Sequence, residues 1–425
     1  MHPYKAFTYC FIFLISLSAC KSSEQFTGYS YDPPNVTDTR DKGIELQKRR
    51  VVGVDSPKVW ISNEFSGARF TDFFMDSDST YRLIIEPENE PINNSPWYAF
   101  KIWSDRPAMI PLTISYPDGR HRYQPKSILE KGENGLPYAF LPVLEDSSSG
   151  DALIYIPVGR NKRIVSAQPL QTSEMIRNEL IKRNILGPSF TKIDTIGYSK
   201  QGRPLIELTI TENSGSEKKP VLVILSRQHP PEVTGYLGAL SALKALTADE
   251  PMARQFRETF VIKAYPMVNP DGVDNGHWRH NAGGVDLNRD WQYFNQPETA
   301  AIRNAITSFM DEGDYRMIYA IDYHSTDENI FYPILSDIKT TPDNITQQWI
   351  PLITEEYPDI VFNIEEFDTN SPISKNWFYH TYGVDALTYE IDDRMPTAVL
   401  DEVSYRAMHH LMDLLLKNWV EISSE

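Results

Sequence analysis

The run Val221-Leu222-Val223-Ile224-Leu225 constrains the fold more than any other stretch. Consecutive aliphatic residues with no polar alternation suit a strand covered on both faces, as in the core of an α/β sheet. Ser226-Arg227-Gln228-His229-Pro230-Pro231-Glu232 follows directly, and a helical pattern from Tyr236 to Leu246 begins just after it. A His and a Glu three residues apart at the mouth of a buried strand can converge on one metal ion. With a further His from elsewhere they make the ligand set of a catalytic zinc, which keeps a fourth position for water. A surface His beside a helix-start Glu has the same spacing, so the pair needs support from the rest of the chain.

From about Thr172 helices and strands alternate. A helix is expected over 174–184, with strands near 191–196 and 205–211. A strand over 260–268 runs into the turn Asn269-Pro270-Asp271-Gly272, and a helix starting at Pro297 continues to Met310. Two further buried strands cover 317–323 and 386–391, and an amphipathic helix over 397–419 closes the chain. This predicts an α/β domain with a mixed central sheet over 169–425. Residues 51–168 read differently, as short strands separated by turns such as Pro117-Asp118-Gly119-Arg120, and predict a smaller antiparallel β-sandwich. Nothing in the sandwich resembles a site. His121, between two arginines, reads as a solvated loop residue, and the module as one for packing or substrate gating. A chain of 425 residues suits two or three domains.

At the N-terminus, His2 and Lys5 precede an apolar stretch over 6–19, the length of a secretory h-region and short for a membrane span. It ends in Leu17-Ser18-Ala19-Cys20, which resembles a bacterial lipobox; an ordinary signal peptide with an incidental Cys is the alternative. The expectation is a lipoprotein signal over 1–19 and a lipidated tether over 20–50, with the membrane reached through lipid on Cys20. Cleavage also removes Cys10, so the exported chain has no disulfide. Lys21 favours the outer membrane, facing the periplasm. No second apolar run approaches spanning length. The net charge of −17 argues against nucleic acid, whose phosphates need a basic surface.

Chemically capable residues end all three buried strands: His229 after the first, His324 after Ile321-Asp322-Tyr323, and Glu390 inside the last. Ligands in open α/β folds gather beyond strand ends. An ionised carboxylate flanked by Tyr389 and Ile391 needs a partner or a function. Between these strands lies Trp278-Arg279-His280-Asn281-Ala282-Gly283-Gly284-Val285-Asp286-Leu287-Asn288-Arg289-Asp290-Trp291. Its glycine pair folds the chain back, so that Arg279 and Asn288-Arg289 can form a carboxylate clamp. A loop salt-bridged through Asp286 and Asp290 is the competing reading. His277 and His280 also sit three apart, but with no neighbouring core strand they rank below His229 and His324.

Taken together, these residues resemble the zinc carboxypeptidase family of the carboxypeptidase A type. The family's H-x-x-E is matched by His229-Pro230-Pro231-Glu232, and its third ligand by His324 in Asp322-Tyr323-His324-Ser325. Its G-V-D-x-N-R loop is matched by Gly284-Val285-Asp286-Leu287-Asn288-Arg289, and its catalytic Glu by Glu390 in Thr388-Tyr389-Glu390. The short Arg-to-Asn-Arg spacing and the preceding β-domain resemble the cytosolic-type and bacterial branches.

The resemblance implies an α/β/α sandwich and one Zn²⁺ per chain on His229, Glu232 and His324. Glu390 is implied as general base and Arg279 as oxyanion stabiliser. Asn288 and Arg289 would hold the free carboxylate of a peptide substrate. Matching Trp377 to the family's Trp sets Lys375 against the terminal side chain, which implies an acidic preference; an exposed loop lysine is the alternative. The family's substrate-capping Tyr should fall near Phe367-Asp368-Thr369, where there is no Tyr; Tyr379 and Tyr382 lie too close to Glu390 to match, and the role is assigned to no residue. The implied activity is release of C-terminal residues from peptides by a monomer. A murein-peptide carboxypeptidase or amidase of the envelope keeps the same site. A non-catalytic zinc-dependent binding lipoprotein would be expected to lack Glu390 or a metal ligand, and neither is missing.

Overall fold

The computed structural model describes residues 38–424 apart from 56–57, 77–79, 130–137, 147, 213–218 and 368. The signal segment, Cys20 and Asp368 lie outside the described residues. No described helix is long and apolar enough to cross a membrane.

The N-terminal domain is two stacked β-sheets. One has six strands, in the order Val51–Asp55, Lys58–Ser62, Ala99–Ser104, Arg163–Ser166, Lys126–Leu129 and Ala139–Phe140. The other has five: Asp72–Met75, Tyr81–Ile84, Ala108–Ser115, Ala152–Val158 and Val143–Glu145. Pairing is antiparallel except between Tyr81–Ile84 and Ala108–Ser115. Alternation places Ile110, Leu112 and Ile114 inward while Met109 faces water, as a one-sided sheet requires.

The C-terminal domain is built on an eight-stranded mixed sheet. Its order is Thr191–Tyr198, Pro204–Ile210, Val261–Tyr265, Lys219–Ser226, Tyr315–Thr326, Asp385–Asp392, Ile330–Tyr332 and Asn363–Ile364. Lys219–Ser226 runs parallel to both neighbours, and Tyr315–Thr326 runs parallel to Asp385–Asp392. Val221, Val223 and Leu225 enter one core layer, Leu222 and Ile224 the other. That explains the unbroken apolar run: both faces are covered. Helices Val233–Leu246 and Thr397–Ser424 supply one layer, and Pro297–Glu312 and Ser374–Tyr382 the other.

Several sequence expectations need correction. Asn269-Pro270-Asp271-Gly272 is the start of a short helix, Pro270–Asn275, rather than a turn. Asn269 caps it by accepting from the Gly272 N–H at 2.9 Å, and Pro270 occupies a first-turn position where no donor is needed. Residues 38–50, expected as part of the tether, lie against both domains. Lys42 N–H donates to Gly283 O at 2.8 Å, Glu45 N–H to Glu88 O at 2.7 Å, and Arg49 Nη2 to Asp274 O at 3.1 Å. Backbone and guanidinium donors find carbonyls there, so this stretch is a strap. His121 is buried rather than solvated: its Nδ1 meets Tyr116 Oη at 2.9 Å, and burial lowers its pKa to about 4.

Candidate active site

Three parallel strands set the site by register. His324 on Tyr315–Thr326 is directly opposite Glu390 on Asp385–Asp392, and Ser226 pairs with Tyr323. Where Lys219–Ser226 ends, Arg227 adopts φ +60°, an uncommon conformation for a residue with a Cβ. Its guanidinium is buried and donates from Nε to Pro230 O at 2.8 Å, closing the loop that presents His229. Helix Val233–Leu246 then starts immediately after Glu232.

His229 Nδ1 lies 2.7 Å from Glu232 Oε1, and His324 Nδ1 lies 2.8 Å from Glu232 Oε2. Each imidazole has a second carboxylate on its other nitrogen. Asp286 Oδ1 is 2.9 Å from His229 Nε2, and Asp322 Oδ2 is 3.0 Å from His324 Nε2. A carboxylate behind each ring holds the proton on Nε2 and turns the Nδ1 lone pair toward the centre. One donor atom from each of His229, Glu232 and His324 falls within 4.8 Å of the others, the one such group among the described residues.

The surroundings call for a cation at this point. Burial disfavours a charged His324, yet Asp322 and Glu232 outweigh it and hold its pKa well above the usual value. Burial likewise opposes the charge on Glu232, which the two imidazoles nevertheless hold well below the carboxylate range. Nitrogen and oxygen donors in a three-residue set, each oriented from behind, fit Zn²⁺ with a position left for a further ligand.

A network behind the ligands fixes Asp322. Gln228 Nε2 donates to its Oδ2 at 2.5 Å, Ser374 Oγ also donates to it, and Trp291 Nε1 donates to Gln228 Oε1 at 2.9 Å. The orienting roles of Asp322 and Gln228 were missed in the sequence. Asp322 and His324 are two apart in one strand and share a face, which is the signal that points to the pair.

One cavity is lined by all eight residues singled out from the sequence: His229, Glu232, His324, Glu390, Arg279, Asn288, Arg289 and Lys375. Glu390 Oε2 is hidden from solvent with no hydrogen-bond partner among the described residues. Burial, then the nearby Glu232 carboxylate, pushes the Glu390 pKa up to about 7. The glycine loop is salt-bridged through Asp286, while Asp290 accepts the Asn295 and Gln296 N–H groups. Arg279 Nε donates to Asp286 Oδ2 at 2.7 Å, and both arginines still face the cavity. Asn288 Oδ1 accepts the Ser374 N–H at 3.0 Å, and Arg289 Nη1 donates to Asn288 O at 2.9 Å. Lys375 is not an exposed loop residue. It sits in the first turn of helix Ser374–Tyr382, 1% exposed, with Nζ donating to Pro333 O at 2.6 Å. His277 and His280 lie apart from the cluster; His277 Nδ1 meets His280 O, and His280 Nδ1 meets Asn89 Oδ1.

The β-domain reaches the site, although nothing in its sequence resembles one. Asn93, Ser95 and Arg122 line the same cavity. Arg122 donates to Asp393 Oδ2 from Nε at 3.1 Å and from Nη2 at 2.6 Å, bridging the domains beside Ser325, whose Oγ donates to Asp393 Oδ1.

Gly235 shows how tightly the site is supported. A Cβ there would lie 2.6 Å from the carbonyl carbon of His324, a clash with backbone that no rotamer relieves. Gly235→Ala is expected to push the helix off the strand end, cutting bound zinc well below one per chain and costing about 1–3 kcal/mol of stability. Metal analysis and thermal unfolding check this; a variant with full zinc and unchanged melting would refute the close approach.

The family model described as zinc carboxypeptidase matches residues 176–400. Cytosolic carboxypeptidase 2 of Danio rerio is 30% identical over 172 residues, covering 39% of this chain and 24% of that protein. Cytosolic carboxypeptidase 6 of Mus musculus is 36% identical over 139 residues, covering 31% of this chain and 26% of that protein. The chain thus spans about a quarter of these curated relatives. Among solved structures, a metallo-carboxypeptidase from Burkholderia cenocepacia aligns with TM-score 0.69 at 19% identity, covering 85% of this chain and 99% of that one. A metallo-carboxypeptidase from Pseudomonas aeruginosa, in complex with (2-guanidinoethylmercapto)succinic acid, aligns with TM-score 0.64 at 18% identity, covering 84% and 99%. At such identities the structural likeness establishes the fold, across both domains.

Proposed function

The chain belongs to the zinc carboxypeptidase family, and from that premise we propose that it is a metallocarboxypeptidase that hydrolyses the C-terminal peptide bond of peptides. The curated relatives it matches, and the β-domain before the catalytic one, favour the cytosolic-type and bacterial branch. The observation that carries the reading is the single cavity joining a His-Glu-His cluster to Glu390, Arg279, Asn288 and Arg289.

His229, Glu232 and His324 would hold Zn²⁺, which when bound supplies Lewis acidity and a water acidified toward neutrality. Glu390 takes the proton from the attacking water at its hidden Oε2 and passes it to the leaving amine. Arg279, held by Asp286 through Nε and lining the cavity, would stabilise the developing oxyanion. Asn288 and Arg289 bind the terminal carboxylate, which sets the scissile bond one residue from the chain end.

Lys375 lines the cavity with its ammonium buried, and an acidic terminal side chain would be attracted to that charge. Lys375→Met should lower kcat/KM for Glu-terminated peptides about 10- to 100-fold while sparing Leu-terminated ones. Equal losses on both would remove the acidic preference.

Anchoring in the bacterial envelope is inferred from Leu17-Ser18-Ala19-Cys20. Cys20→Ala should move the protein from the membrane to the soluble fraction; a variant still sedimenting with membranes would refute the lipid anchor.

The activity itself is tested by release of C-terminal amino acids from a peptide panel that includes murein stems. Release that a chelator abolishes is expected. No release from any member, or release indifferent to chelator, would overturn the proposal.

A further inference from the structure

The backbone N–H of Arg279 is bonded to a carboxylate from the other domain. Glu88 lies between strands Tyr81–Ile84 and Ala99–Ser104 of the β-domain and is 0% exposed. Its Oε2 accepts the backbone N–H of Trp278 at 2.7 Å; its Oε1 accepts those of Arg279 at 3.1 Å and His280 at 2.7 Å. Three consecutive amide donors thus converge on one buried carboxylate, a large concentration of charge-assisted bonds on a non-repetitive loop. The adjoining turn is held from the same side. Asn89 Nδ2 donates to Gly284 O at 3.1 Å, and the strap contributes Lys42 N–H to Gly283 O. Trp278 itself is fully buried, its ring edge-on to Tyr116 of the β-domain at 6.4 Å. Within the catalytic domain Asp286 orients the Arg279 side chain, whereas Glu88 accepts its backbone N–H.

We propose that Glu88 is a positioning residue for catalysis: the β-domain sets the Arg279 backbone, and so the site works only as a two-domain unit. The inference rests on the carboxypeptidase reading for its kinetic part and on geometry alone for the rest. Glu88→Gln keeps the size of the side chain but leaves one acceptor oxygen, and turns an NH₂ toward a backbone N–H. A shift of the arginine by even about 1 Å should cost about 10- to 100-fold.

The test uses the full chain with wild type, Glu88→Gln, Arg279→Ala and the double variant. Expected for Glu88→Gln is a kcat about 10- to 100-fold lower, KM changed less than about threefold and zinc content unchanged. In the Arg279→Ala background the same change should cost less than about threefold, because the two residues act as one unit. Equal fold losses in both backgrounds, or a loss that tracks zinc content, would overturn the proposal. Amide hydrogen exchange gives a reading independent of turnover. The N–H groups of Trp278, Arg279 and His280 should be protected in wild type and released in Glu88→Gln, and unchanged protection would also overturn it. Wild-type protein inactive on every peptide would sink the carboxypeptidase reading instead, and exchange would then decide the anchoring. If Glu88→Gln melts early, both assays are run below its transition.

Discussion

Glu390→Gln should leave about one zinc per chain and lower kcat by about 10³- to 10⁴-fold, the loss expected when a general base is removed from a site otherwise intact. Strand register puts Glu390 beside His324 and outside the ligand set, so an isosteric amide disturbs neither His324 nor the sheet. The carboxylate is the working form, so the rate falls as pH drops through its pKa. Burial and the Glu232 charge push that pKa up to about 7. A bound divalent cation acts in the opposite direction, so the acid limb should fall below 7. The amide variant should lose that limb along with the rate. Residual activity within about tenfold of wild type, with the limb retained, would move the base elsewhere.

Removing the metal should have an effect at least as large. A strong chelator, or His324→Ala, is expected to abolish measurable turnover, and stoichiometric Zn²⁺ should restore the chelated wild type but not the variant. Without the ion, Glu232, Asp286 and Asp322 crowd around two imidazoles, and His324 is held in its charged form. A proton therefore competes for the zinc position, and bound metal should decline as pH falls, with protons released on reloading. Zinc should also raise the melting temperature, with stability growing as the logarithm of its excess over Kd. Metal analysis across pH, beside thermal unfolding with and without chelator, checks both halves. A chelated protein that kept its activity would remove zinc from the chemistry altogether.

The candidate ligand residues were legible because each sits at a feature with local rules. Val221 to Leu225 reads as a doubly covered strand from composition alone, and its residues divide between two core layers. His229, His324 and Glu390 mark where three such strands end or carry charge, and the family resemblance joined them. The lining of the cavity was harder to read. Lys375 looked equally like a loop residue, because nothing local distinguishes the first turn of the short helix Ser374–Tyr382. His121 was taken as solvated for its arginine neighbours, whereas Tyr116 and the sandwich core enclose it.

What the amino-acid order settled by itself was the two-part architecture and the identity of the metal-binding and base candidates. Hydrophobic period and strand-end chemistry are written within a few residues and survive without tertiary information. What only the folded chain decided was which distant groups back those candidates up. Asp322 behind His324, Gln228 behind Asp322, Glu88 beneath Arg279 and Arg122 against Asp393 are contacts across 94 to 271 positions for all but the first. Hydrogen bonds between loops of two domains carry no periodic signal, and a buried carboxylate reveals its role only when the donors that surround it are in place.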